Sequence, residues 1–82
     1  MTELDDLQEI ARLATSKALE NYEIPDEWRR NLALGIYFEN DIRIFELYVV
    51  GERPNDAIVI SRAKVDRRTK AVSVDVSNLE KK

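Results

Sequence analysis

Leu32-Ala33-Leu34-Gly35-Ile36-Tyr37-Phe38-Glu39-Asn40-Asp41-Ile42-Arg43-Ile44 is the stretch on which the fold turns. Bulky apolar residues take every second position from Leu32 to Phe38, with Ala33, Gly35 and Tyr37 between them, which is the period of a half-buried strand. Asn40-Asp41 tolerates left-handed backbone angles, and a second β-favouring run begins directly after it. The stretch therefore predicts strand, tight hairpin and strand. Gly35 weakens a strand interior, so it points to a bend or to a close approach by the helix.

Downstream the pattern continues with two changes of phase. In the second strand, Ile42 to about Val50, Ile42 and Ile44 share one parity while Phe45, Leu47 and Val49 share the other. Either a bulge near Ile44-Phe45 swaps the faces, or the strand is central and covered on both. Gly51 to Asp56 is a cluster of breakers and predicts the longest surface loop. The third strand, Ala57 to Val65 or Asp66, shifts from Ile58 and Ile60 to Ala63 and Val65. Asp66 to Lys70 turns the chain. Val72, Val74 and Val76 then alternate with Ser73, Asp75 and Ser77, and residues 77–82 read as a frayed end.

Upstream, Leu4, Leu7, Ala11, Ala14, Ala18 and Tyr22 recur at steps of three and four, marking one side of a helix from Thr2 to about Tyr22. Thr2 and Asp5 have capping-box spacing, and Glu3, Asp5 and Asp6 suit the positive end of the helix dipole. Leu13 falls on the far side and should be exposed. Ile24-Pro25 ends the helix, because proline cannot continue the ladder and restricts the residue before it. The expected fold is α+β: one N-terminal helix across a four-stranded antiparallel meander, in one domain spanning residues 1–82.

Composition narrows the chemistry. The chain has 82 residues, no cysteine and no histidine. Disulfides, zinc fingers and thiol nucleophiles are excluded, and the usual general base and metal ligand are missing. No signal-like start and no run near about 18 apolar residues occurs, so a cytoplasmic, non-membrane protein is expected. No cofactor or enzyme activity is expected. Glu39, Asp41 and Glu46 gather near the first hairpin, but acids at hairpins usually serve turns and solubility, and no calcium-loop motif is present.

Charge is unevenly spread. Residues 1–27 hold eight acids and two bases, whereas residues 61–82 hold three acids and seven bases. Arg62, Lys64, Arg67, Arg68 and Lys70 form a basic hairpin that could grip phosphate or could answer the acidic helix. The net charge of −3 and the lack of interleaved aromatics weigh against nucleic acid. Tyr22, Trp28 and Tyr48 are candidates for a cleft at the helix end, or for plain packing at element junctions.

The order helix, proline turn and meander, closing on Arg62-Ala63-Lys64-Val65-Asp66-Arg67-Arg68-Thr69-Lys70-Ala71-Val72, resembles the cystatin-like and NTF2-like small α+β domains. PepSY-type and NTF2-fold immunity modules belong to that group. Their closing hairpin often reads Val-Asp-x-x-Thr-Gly-x-Val, and Lys70 stands here where glycine is usual. The segment Tyr22-Glu23-Ile24-Pro25-Asp26-Glu27-Trp28 is similar in layout to the entry of their first strand. The resemblance carries over no catalytic residue.

One helix covers one sheet face, so the other face should be left open. Tyr37, Ile42, Ile44, Tyr48, Ile58 and Ile60 are expected there, more apolar surface than a monomer usually exposes in one patch. The sequence thus favours a non-catalytic interaction domain that pairs with a second copy or another protein through the sheet face or an edge. A small-ligand module and a nucleic-acid binder are the alternatives.

Overall fold

The structure, a computed structural model, describes residues 2–82. Helix α1 spans Glu3–Leu19 and is followed by strand β1, Tyr22–Glu23, and a single-turn helix α2, Asp26–Arg29. Strands β2, Leu32–Glu39, β3, Ile42–Val49, β4, Ile58–Asp66, and β5, Val72–Val76, form an antiparallel sheet in that order. A final strand β6, Glu80–Lys81, pairs with β1, Tyr22 facing Lys81 and Glu23 facing Glu80. The fold is α+β with the meander expected from the alternation. The C-terminal segment is a correction: it is tied back to the end of α1 by backbone pairing, which no local pattern announces.

Thr2 accepts from the Asp5 amide at 3.2 Å while the Asp5 carboxylate accepts from the Thr2 amide, closing the capping box. The helix stops at Leu19, before the proline, and Pro25 instead precedes α2. Leu7 and Ala11 are buried against Phe45, Ala63 and Val65, with Leu4, Ile10 and Val74 packed around them. Leu13 is 57% exposed.

Of the two phase changes, only the one on β4 is a bulge. Leu47 faces Ser61 but Tyr48 faces Val59, so Ile60 has no partner across the ladder and forms a bulge. The parity of β4 reverses there: Ile58 lies opposite the buried Val49, and Ile60 is fully buried. β3 has no bulge at Ile44-Phe45; it sits between β2 and β4, with both faces at least partly covered. Gly35 is also explained from the unexpected side. A Cβ there would come within 3.3 Å of the Tyr37 ring, so the approach is by a neighbouring aromatic, not by the helix.

Asn40, within the first hairpin turn, has φ of 53°, and Lys70, after the last turn, has φ of 66°. Both lie in the left-handed region, which costs an ordinary L-residue free energy but not glycine. Lys70→Gly is therefore expected to stabilise the fold by up to about 1 kcal/mol, read as a rise in chemical-denaturation midpoint at unchanged slope.

Candidate interaction surface

Four strands about 4.8 Å apart make a sheet wider than one helix of about 10–12 Å can cover. Where α1 rests decides what stays open. It packs on β4 and β5 and only touches β3. Ala11 on α1 and Ala63 on β4 both belong to the buried cluster at this contact, and side chains this small let the backbones come close. The side chains of β2 on the same face are Leu32, Leu34, Ile36 and Phe38, too bulky for so close an approach.

An ion-pair cluster holds this position. Arg67, in the β4–β5 turn, donates to Glu3 at 2.9 Å and lies 3.8 Å from Asp41, while Arg68 reaches Asp41 at 3.1 Å. The Arg67 amide also donates to the Asp41 carbonyl at 2.9 Å. Arg67 thus bridges the first turn of α1, through Glu3, and the β2–β3 turn, through Asp41. The hydrogen bond and charge of Arg67 hold the Glu3 carboxyl below the ordinary glutamate value. A depressed carboxylate favours folding at neutral pH, and that contribution is lost as pH falls through its folded-state value. Acid-range thermal melts should therefore show a shallower decline for Glu3→Gln than for the natural chain.

The consequence is a trough about 380 Å³ in volume beside α1, walled by Ala11 and Thr15 and floored by Leu34, Phe45 and Leu47. Beyond it the helix-side row of β2 is open: Leu34 is 45% exposed, Ile36 39% and Phe38 66%. Arg43 stacks over Phe38 with its guanidinium carbon 4.6 Å from the ring centroid, at one end of the row. On the helix-bearing side the exposed apolar side chains Leu34, Ile36 and Phe38 are consecutive along one strand, while Tyr37 and Val50 are exposed on the other face. Among the described residues β2 has no strand on its outer edge.

The other sheet face differs from the expected apolar patch. Tyr37, Ile44 and Tyr48 do share it, since Tyr37 faces Ile44 and Tyr48 faces Val59 in register. Ile58 and Ile60 do not, because the bulge turns them inward. Glu46 and Arg62 form an ion pair at 2.7 Å across neighbouring strands of this face, which makes it mixed rather than apolar. Tyr22, Trp28 and Tyr48 line three separate depressions and form no common cleft. Trp28 sits with Ile24, Pro25 and Leu79, and Arg29 donates to the Ile24 carbonyl.

In the basic hairpin, Arg62, Arg67 and Arg68 are engaged by Glu46, Glu3 and Asp41, while Lys64 and Lys70 are exposed. Three of the five charges are answered within the fold. Glu39, Asp41 and Glu46 do not converge, and no group of three potential metal-binding side chains occurs among the described residues. No helix among them is long and apolar enough to cross a membrane. No family model, curated protein or solved structure matches the chain.

Proposed function

We propose that this chain is a non-catalytic protein-interaction domain whose docking surface is β2 and the trough beside it. The observation that carries the reading is the open row Leu34, Ile36 and Phe38 on a strand with a free edge. Exposed apolar side chains placed singly are ordinary, but a contiguous row next to an apolar trough is the surface expected of an interface. Removing it from water on association supplies the driving force, and the strand edge supplies directional hydrogen bonds.

A photoreactive residue placed at Leu34 tests this in cells, with the same residue at Leu13 as control. Both positions are exposed and apolar. A discrete covalent adduct to one protein, this chain or another, is expected at Leu34 and not at Leu13. Equal labelling at the two positions, or none at Leu34, would contradict the proposal.

A small-ligand reading draws on the trough itself, whose volume lies within the range of about 300–1,000 Å³ typical of ligand sites. Such a ligand would perturb Phe45 and Leu47 and leave Trp28 unaffected, which NMR shift mapping with short-chain aliphatic compounds would show.

A further inference from the structure

The free edge of β2 has a definable hydrogen-bonding pattern. The Val50 amide donates to the Asn31 carbonyl at 2.8 Å, and these two residues continue the register in which Leu32 faces Val49. Backbone groups of antiparallel strands alternate in direction. The odd-numbered residues of β2 therefore bond to β3, and the amides and carbonyls of Leu32, Leu34, Ile36 and Phe38 point outward. Three of them, Leu34, Ile36 and Phe38, carry the side chains of the open row, and Leu32 beside them is half-buried.

Edge strands are commonly blunted by charge, proline, a bulge or short length. β2 has eight residues, no proline, no bulge and no charged side chain before Glu39. The opposite edge, β5, has five residues and carries Asp75 near its centre. One edge is guarded and the other is not, which favours a closed pair over an open filament.

We infer that β2 pairs antiparallel with β2 of a second copy of this chain about a two-fold axis through Gly35. This rests on the reading of the β2 side as the docking surface. Residues directly opposed in an antiparallel ladder point to the same face, which permits only registers that match parity. With Gly35 on the axis, Leu34 meets Ile36 of the second copy, Leu32 meets Phe38, and Ala33 meets Tyr37. The strand is its own complement: apolar meets apolar on the helix side, and small meets large on the other. Glu39 falls outside the paired segment. Moving the axis to Ile36 sets Ala33 against Glu39 and Gly35 against Tyr37, and moving it to Leu34 sets Phe38 against Arg30.

About eight backbone hydrogen bonds form in the favoured register, two for each outward-facing pair. Each α1 packs on its own β4 and β5, with the trough between its middle turns and the junction and its first turn beside Phe38. The result is an eight-stranded sheet in which two open rows fuse into one apolar floor between two helices. An edge of seven residues with one row of side chains belongs to the smaller class of interfaces, below about 1,200 Å², so micromolar affinity is expected.

Sedimentation equilibrium from low micromolar to near-millimolar protein reads the association. The natural chain should be a reversible dimer. Ile36→Pro removes an outward amide without removing a ladder bond to β3, so it should keep the natural fold by circular dichroism and weaken association at least about tenfold. The chain has no cysteine, so single-cysteine variants report the register. Opposed residues at a non-hydrogen-bonded position lie about 4.5 Å apart at Cα, within disulfide range. Oxidised Gly35→Cys should give a covalent dimer, and the tip of the Tyr37 ring is the part of the structure that must move to admit it.

A natural chain that stays monomeric throughout overturns the inference. So does a dimer that is indifferent to Ile36→Pro and gives no cross-link with Gly35→Cys. A monomer whose Leu34 photo-cross-links to a different protein overturns self-pairing alone and leaves the docking surface standing.

Discussion

Leu7→Ala is expected to destabilise the fold by about 3 kcal/mol and to lower the thermal midpoint by roughly 15 °C at fixed protein concentration. Leu7 is 1% exposed and sits in a buried cluster whose other members, Ala11, Phe45, Ala63 and Val65, include two alanines. Alanines let α1 lie close, and they leave little side chain able to move into a void. The loss therefore combines the transfer free energy of the removed methyls with a cavity that cannot collapse. A fold of this size has only about 5–15 kcal/mol to lose. The same truncation at Leu13, exposed on the far side of α1, should cost under about 0.5 kcal/mol. Calorimetry of the two variants side by side checks the assignment of the inner face.

Ile60→Ala should cost about 3 kcal/mol, and Ile44→Ala less than half of that. The sequence places these two isoleucines on the same open face. In the structure Ile60 is fully buried at the bulge, whereas Ile44 lies on the mixed face beside Tyr37 and opposite Lys64. Equal costs in denaturant unfolding would mean that the ladder runs through Ile60 without a bulge and that the parity of β4 is regular.

These cases show which parts of the fold are legible along the chain. The capping box at Thr2 and Asp5, the alternation of β2 and β5, and the Asn40-Asp41 turn are local, and each can be read from a few neighbouring residues. The bulge at Ile60 exists only relative to β3, so the sequence registers a phase change without saying which strand carries the extra residue. The pairing of β1 with β6 joins two dipeptides nearly the whole chain apart, which no periodicity encodes. Lys70 is a mixed case: the hairpin is visible from its residues, whereas the left-handed backbone at Lys70 is seen only in the structure.

The proposed docking surface is half legible. The row Leu32, Leu34, Ile36 and Phe38 is plain in the sequence, but a strict alternation reads as burial under the helix. What leaves the row open is the lateral position of α1 over β4 and β5, set by the small contact at Ala11 and Ala63 and by the Arg67 cluster. One helix is narrower than four strands, so part of the sheet must stay uncovered, but only the packing of α1 on β4 and β5 decides which part. The separation of Tyr22, Trp28 and Tyr48 into different depressions likewise depends on tertiary placement.

Amide hydrogen exchange within β2, followed as a function of protein concentration, tests the central claim most directly. At low concentration the amides of Ala33, Gly35 and Tyr37, bonded to β3, should exchange slowly while those of Leu34, Ile36 and Phe38 exchange fast. As concentration rises through the micromolar range, the second set should become protected and the first should change little. Outward amides that remain fast up to near-millimolar protein would contradict pairing through this edge.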